Sequence, residues 1–219
     1  MKNIKSYTNT CASGLEAREG NERAVRDLLR DYVLILANTG MRAGTEAMNL
    51  KWQHITIVKQ DGQEYLTLNI KGKTKKMRAI QVPHRVAVYL QRIQMRDEEL
   101  KHMSFYELIE ASVDKYVFRV NGKDMTSNFG KIFKRLLEAA GLLVDRRSGK
   151  DRTLYCLRHY YATLRITIGD ISTAQIADYM GTSEKMIQEH YKHLNLQRIA
   201  NKFVGSGNLA TALKAKVKQ

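Results

Sequence analysis

Apolar residues recur at two different spacings along the chain, and each spacing predicts one kind of secondary structure. Between residues 21 and 38 they follow a helical period, which predicts a helix. Over residues 55–82 the pattern changes to alternation, and Leu66, Leu68 and Ile70 stand between polar neighbours. Alternation of this kind is typical of a strand with one buried and one solvated face. The two spacings therefore predict a helix followed by a sheet.

Turn residues divide the alternating region into three strands. Asp61 and Gly62 form a hairpin signal, because this pair tolerates the left-handed backbone of a two-residue turn. Gly72 opens a second turn, which runs to Lys76. The predicted strands, which form a small antiparallel sheet, lie around residues 55–58, 66–71 and 80–82.

Most of the remaining chain shows helical periodicity. Ser104 and Glu107 have the spacing of a capping box, and Gly141 is placed to end a helix. An extended piece at 116–120 and a charged loop at 144–152 interrupt the helices. The predicted helices cover residues 45–50, 84–96, 104–111, 127–140, 153–167, 172–180 and 183–193. The predicted fold class is α+β, mainly α-helical, with a small three-stranded antiparallel sheet.

The charge of the chain points to a polyanionic partner. Its 37 Lys and Arg residues exceed its 22 Asp and Glu residues, so the net charge is +15. Binding to a polyanion releases counterions from neutralised phosphates, which favours nucleic acid as the partner. A basic, solvated surface that only aids solubility is the alternative explanation.

Cysteine usage and hydropathy exclude several classes of protein. Cys11 and Cys156 lie far apart and in no Cys/His cluster, which argues against a zinc site and fits a reducing compartment. No apolar run approaches the roughly 18 residues of a membrane span, and the first residues lack the apolar region typical of a signal peptide. We expect a soluble, cytoplasmic protein without a metal or other cofactor.

Four segments carry candidate chemistry, and their order is more informative than any one of them. Each alone is a weak signal, but all four occur in one order on a predicted helix, hairpin, helix and helix. They are Thr39-Gly40-Met41-Arg42 with Glu46, Lys71-Gly72-Lys73-Thr74-Lys75-Lys76-Met77-Arg78, Leu154-Tyr155-Cys156-Leu157-Arg158-His159, and Met180-Gly181-Thr182-Ser183 with Tyr191-Lys192-His193. This set resembles the first arginine box, the hairpin lysine, the second arginine box and the nucleophile box of tyrosine recombinases of the phage integrase type.

The resemblance implies that Tyr191 attacks a DNA phosphodiester and forms a 3′-phosphotyrosyl bond. Such a covalent intermediate keeps the bond energy, so joining to a new strand needs no metal or nucleotide. Arg42 and Arg158 match the arginines that stabilise charge on the phosphate oxygens. Lys73 matches the general acid that protonates the leaving 5′-oxygen, since Arg78 follows it at the usual offset.

Two positions depart from the family pattern, because Tyr155 and Thr182 replace histidines. Either side chain can donate a hydrogen bond to the scissile phosphate, but neither can act as a base near neutral pH. Three further residues are predicted to support the site from behind: Glu46, His159 and His193. The departures leave two other functions open, a DNA-binding relative with lost or attenuated cleavage and, with a poorer fit to the spacing, a type IB topoisomerase.

The resemblance also implies the domain organisation and the assembly. Residues 1–20 are predicted to be a leader or linker and 21–195 the catalytic domain. Residues 196–219 are predicted to be a tail helix that is either exchanged between protomers or docked on its own domain. Members of the family act as homotetramers on two duplexes of double-stranded DNA, and a monomer is possible without DNA. The expected location is the cytoplasm of a bacterial cell or phage-infected host.

Overall fold

The computed structural model describes residues 16–72, 77–120, 122–124, 126–169 and 171–189, with side chains from Glu22 onward. The chain divides after Tyr161 into two compact units. The predicted hairpin tip at 73–76 and the predicted tail at 196–219 lie outside the described residues.

The first element is a long helix, α1 (Glu16–Thr39). Its apolar stripe is buried as predicted, with Leu28, Tyr32 and Leu36 almost fully covered. The helix begins before the predicted start at residue 21, because strong helix formers extend it without needing an apolar stripe. It ends where predicted, since Gly40 has a left-handed backbone with φ of 64°.

A three-stranded antiparallel sheet follows, in the order β1 (Ile55–Gln60), β2 (Gln63–Lys71) and β3 (Met77–Gln81). The predicted hairpin turn between β1 and β2 is confirmed, because Asp61 and Gly62 both have positive φ values, 51° and 75°.

The burial of β2 corrects one part of the prediction. Leu66, Leu68 and Ile70 are buried as expected, but Thr67 on the opposite face is buried as well. The neighbouring Asn69 is half-buried, and its amide donates to the His54 carbonyl. The second face is therefore partly covered and not freely solvated.

Three further α-helices lie in the described part of the first unit: α2 (Arg85–Gln94), α3 (Phe105–Glu110) and α4 (Phe129–Ala139). The capping box of α3 is confirmed, because Ser104 and Glu107 exchange backbone-to-side-chain hydrogen bonds of 2.7 and 3.2 Å. The last carbonyls of α4 are followed by Gly141 with φ of 66°, as predicted.

The predicted helix over 45–50 is wrong, whereas the extended piece predicted over 116–120 carries isolated β-bridges at both ends. A single π-helical turn (Ala43–Ala47) follows α1, in which the Ala47 N–H donates to the Arg42 carbonyl over 3.1 Å. Isolated bridges join Lys51 to Tyr116 and Val120 to Lys123. The wide turn forms because the Glu46 carboxylate folds back to the Arg42 backbone N–H, a bond that helical periodicity cannot reveal.

The last described helices are α5 (Cys156–Ile168), which crosses the division between the units, and α6 (Thr173–Met180). Ser172 caps α6 with a capping box, and Gly181 ends it with φ of 63°. Residues 184–189 are helical, and the rest of the helix predicted over 183–193 lies outside the described residues. None of the helices in the described ranges combines the length and apolar character that crossing a membrane requires.

Candidate active site

The π-helical turn places the first predicted arginine beside a buried carboxylate. The Arg42 backbone N–H donates to Glu46 Oε2 over 2.8 Å, and Arg42 Nη1 donates to Glu46 Oε1 over 2.5 Å. The Glu46 side chain has no exposed surface. The turn thus fixes both the backbone and the guanidinium of Arg42 on one carboxylate.

Strand β3 brings a second guanidinium to the same carboxylate. Arg78 donates from Nη1 and Nη2 to the two Glu46 oxygens, over 2.8 and 2.9 Å. Burial alone raises the pKa of Glu46, but the hydrogen bonds from Arg78 and from the Arg42 backbone outweigh it and hold the pKa below its ordinary value. Glu46 is therefore an anion at neutral pH, held between two arginines.

Arg158, on the first turn of α5, is 4% exposed. Its Nη1 donates to the Gly40 carbonyl over 2.6 Å. Gly40 suits this contact for two reasons: its φ is 64°, and a Cβ there would lie 2.5 Å from Cδ1 of Tyr161. The close approach of the ring and the left-handed backbone both favour glycine at this position.

The electrostatics of Arg158 show that the arginines act on one another. Burial lowers the pKa of Arg158, and the positive charges of Arg42 and, more weakly, Arg78 lower it further, while Glu46 acts in the opposite direction. Three guanidinium groups and one carboxylate thus lie together, largely shielded from water. Forked guanidiniums suit the oxygens of a phosphodiester.

Tyr155, one of the two histidine replacements, lies beside this arginine cluster (Arg42, Glu46, Arg78 and Arg158). Its carbonyl accepts from the Arg158 N–H over 3.0 Å, and its side chain is 51% exposed. The ring meets His159 edge-on, with 5.1 Å between ring centroids. Tyr155 is thus half exposed, while His159 packs against its ring.

The described structure leaves the other predicted site residues untested. Thr182 lies in the second unit, where its backbone N–H donates to the Ala177 carbonyl over 2.9 Å at the end of α6. Lys73, Tyr191 and His193 lie outside the described residues.

Sequence reasoning treated Arg78 only as a marker for Lys73 and gave Gly40 no role of its own. A signal for Arg78 was present, because it shares a strand face with Ile80, which was predicted to be buried. A charged residue on an apolar face needs a buried partner of opposite sign. That partner, Glu46, is 32 residues away in sequence.

Comparisons with known proteins identify relatives of the chain. The sequence model of the phage integrase family matches residues 7–198. No curated protein sequence matches the chain.

Three solved structures are similar in fold. The XerH site-specific recombinase bound to a palindromic difH substrate, in a post-cleavage complex, has 22% identity and a TM-score of 0.57 over 94% of this chain and 51% of XerH. The Tn1549 transposon integrase in complex with transposon right end DNA has 17% identity and a TM-score of 0.52 over 92% of this chain and 62% of the integrase. The XerA recombinase has 22% identity and a TM-score of 0.50 over 84% of this chain and 62% of XerA.

At these identities the likeness shows the fold, and the predicted fold class is confirmed. The chain spans about half the length of XerH.

Proposed function

The chain belongs to the phage integrase family, and from that premise we propose that it is the catalytic part of a site-specific DNA recombinase or integrase. The observation that supports this function best is the arginine cluster, in which Arg42 bonds to the buried Glu46 carboxylate and the buried Arg158 lies near enough to feel the charge of both. A scissile phosphodiester carries one negative charge and two non-bridging oxygens, which is the ligand that such a cluster favours.

In the proposed reaction the Tyr191 oxygen attacks the phosphorus, the bond to the 5′-oxygen breaks, and a 3′-phosphotyrosyl bond forms. One proton leaves the phenol for solvent, and one passes from Lys73 to the departing 5′-oxygen. Arg42 and Arg158 stabilise the charge that grows on the non-bridging oxygens in the transition state. The reverse attack by a 5′-hydroxyl of another strand completes the exchange.

The remaining predicted residues support these steps. Glu46 orients Arg42 through its two hydrogen bonds. We propose that the hydroxyl of the half-exposed Tyr155 and that of Thr182 donate hydrogen bonds to the phosphate in place of the family's histidines. His159 and His193 support the site from behind, and His159 does so through its ring contact with Tyr155.

The substrate in this proposal is double-stranded DNA, and the active assembly is a homotetramer on two duplexes, in the cytoplasm of a bacterial cell or phage-infected host. XerH and the Tn1549 integrase are both described in complexes with DNA. The domain limits carry over from the sequence prediction, with residues 21–195 as the catalytic domain and 196–219 as an exchanged tail. The net charge of +15 supports binding that weakens steeply with salt.

A trapping experiment tests the function. Short duplexes of randomised sequence are nicked so that cleavage releases a short oligonucleotide that diffuses away and leaves the protein joined to DNA. We expect an adduct that survives denaturation and is absent in Tyr191→Phe. An adduct that persists in Tyr191→Phe would exclude this nucleophile.

The same experiment tests the second candidate, a DNA-binding relative without cleavage. The observation that favours it is Tyr155, which replaces a histidine and is half exposed beside Arg158. Salt-dependent binding without any adduct would support that candidate. Where an adduct forms, exchange between two duplexes supports a recombinase, and relaxation of supercoiled DNA without exchange supports a topoisomerase.

A further inference from the structure

We propose that the charged loop at residues 144–152 binds the DNA backbone beside the phosphate that the arginine cluster holds, through Arg146, Arg147 and Lys150. The proposal rests on the proposed function, because it names a second place where the same DNA substrate contacts the protein. None of these three side chains takes part in the cleavage step itself.

Hydrogen bonds within the loop give its backbone a defined shape. Val144 and Asp151 form an isolated antiparallel bridge, and the Asp145 N–H donates to the Lys150 carbonyl over 2.9 Å. Between these two pairs, the Gly149 N–H donates to the Asp145 carbonyl over 2.8 Å. The loop is therefore a closed turn, and the side chains it carries lose less conformational freedom on binding than those of an open connection would.

The first carboxylate of the loop, Asp145, is used to hold this turn together. It accepts from the backbone N–H groups of Arg147 and Ser148 over 2.8 and 3.0 Å, and it pairs with Arg152 over 3.3 Å. The bonds from the Ser148 and Arg147 N–H groups lower the pKa of Asp145, so the carboxylate is charged at neutral pH. Its negative charge is directed to the loop backbone and to Arg152.

The second carboxylate, Asp151, pairs with Lys134 of α4 over 3.1 Å. The side chains of Arg146, Arg147 and Lys150 are exposed, and none of them pairs with a carboxylate in the part of the chain that the structure describes. Both acidic residues of the loop thus stabilise its shape, and three positive charges on one short turn stay uncompensated. Such charges gain free energy from counterion release when they contact phosphates.

The loop leads directly into the helix that carries Arg158. The Arg152 N–H closes the base of the loop on the Leu143 carbonyl over 2.7 Å, and α5 begins at Cys156. Lys150 precedes Arg158 by eight residues, which even a fully extended chain spans in about 28 Å. Because the phosphates of one DNA strand rise by about 3.4 Å per base pair, the loop lies within about eight base pairs of a phosphate bound at Arg158.

The salt dependence of DNA binding tests the proposal, and the target sequence need not be known, because backbone contacts carry no sequence information. The affinity of the full chain for a short duplex of randomised sequence is measured over a range of KCl concentrations. The test variant replaces the three cations together, as Arg146→Gln, Arg147→Gln and Lys150→Gln. We expect the slope of log affinity against log salt to become shallower by about 2–3, since each lost phosphate contact removes roughly 0.9.

Two control variants separate a local contact from other effects. The first exchanges arginine and lysine at the same three positions, so it keeps the charges and should keep the wild-type slope. The second removes three exposed cations from α1, β1 and α2, as Arg23→Gln, Lys59→Gln and Arg85→Gln. It lowers the net charge by the same amount and should also keep the wild-type slope.

The place of the contact is tested on a cleaved site recovered from the randomised pool. Methylphosphonate linkages, which carry no charge, replace the phosphates in short windows on either side of the cleaved bond. One window within about eight base pairs should weaken binding by the wild-type chain. The same window should have no effect on the triple glutamine variant, which has already lost the cations that contact it.

Three results overturn the role of the loop: an unchanged slope in the triple glutamine variant, an equal loss of slope in either control, or the absence of such a window. In each case an adduct with the wild-type chain still upholds the proposed function. A wild-type chain that binds DNA without forming an adduct overturns the proposed cleavage, and the salt slopes then decide whether the loop binds DNA.

Discussion

Two carboxylates in the first unit are fully buried among arginines, and the clusters around them differ in how their positive charge is compensated. Asp31 on α1 accepts from Arg92 of α2 and from Arg96 just after the end of α2, and it also pairs with Arg30 over 3.6 Å. The Asp31 side chain has no exposed surface, whereas Arg92 and Arg96 are 37% and 31% exposed, so water also solvates their charge. This cluster joins two helices.

The cluster around Glu46 holds its positive charge away from water. Arg42 and Arg78 bind the carboxylate with side chains that are 28% and 18% exposed, and Arg158, at 4%, is buried beside them. Burial and the charge of Arg42 lower the pKa of Arg158. Charges held away from water interact more strongly with a bound anion than solvated charges do. The arginines that bond to the two carboxylates thus differ in exposure, which is why we propose a structural role for the cluster at Asp31 and a ligand-binding role for the cluster at Glu46.

The largest expected effect comes from removing the most buried cation. Arg158→Met should lower the rate of adduct formation by about 10²–10³-fold, the usual cost of one lost transition-state donor. Its stability should stay the same or rise, because a buried charge is removed. Adduct formation and thermal unfolding of the purified variants measure the two effects.

The matched control for Arg158 is Arg96→Met in the other cluster. It should lower the melting temperature and leave adduct formation per folded molecule at the wild-type level. If Arg158→Met retains cleavage within about tenfold of wild type, the comparison between the clusters fails.

The second effect concerns the carboxylate at the helix junction. Asp31→Asn should lower the free energy of unfolding by about 3 kcal/mol, the low end for breaking a buried pair, because the remaining arginines are partly solvated. Urea unfolding followed by circular dichroism measures this loss. A change below about 1 kcal/mol would place Asp31 among ordinary surface ion pairs.

The two clusters also show which features the sequence could predict. Features within a few residues of one another were predictable, such as the alternation of Leu66, Leu68 and Ile70 and the turn at Asp61 and Gly62. Each depends on a local period or on the backbone preference of a residue type. The four motifs likewise identified Arg42 and Arg158 by resemblance.

Pairings between distant residues were not predictable in the same way. Asp31 and Arg92 are 61 residues apart, and Arg158 and Gly40 are 118 residues apart. The hydrophobic period of one segment carries no information about which distant side chain contacts that segment. The π-helical turn was missed for a related reason, since the bond between Glu46 and the Arg42 N–H sets its width.

The third effect tests how the backbone holds Arg158. Gly40→Ala should cost about 1–2 kcal/mol for a side chain in the left-handed region, and the 2.5 Å approach to Tyr161 should also displace the carbonyl that Arg158 binds. We therefore expect both lower stability and slower adduct formation.

Gly62→Ala is the matched control for Gly40→Ala. Gly62 has φ of 75°, but a Cβ there meets nothing within 4 Å, so only the backbone cost remains. It should lose a similar amount of stability and keep its cleavage activity. Equal activity of the two variants would show that the Gly40 carbonyl does not position Arg158.

The smallest effect is the pH dependence of the Glu46 cluster. The pKa of Glu46 is lowered in the folded protein from its ordinary value of 4.5, because the bonds from its arginines outweigh the opposing effect of burial. A lowered folded-state pKa stabilises the fold above the ordinary pKa, and this stabilisation is lost as the pH falls through the folded-state pKa. The difference in unfolding free energy between wild type and Glu46→Gln should therefore be constant at neutral pH, and below about pH 4.5 it should change in favour of the stability of Glu46→Gln.

Urea unfolding of both proteins at a series of pH values measures this difference. The contributions of the other carboxylates largely cancel, because both proteins contain them. A difference that does not change with pH would mean that the arginines do not favour the charged form of Glu46, and the contrast with Asp31 would then rest on exposure alone.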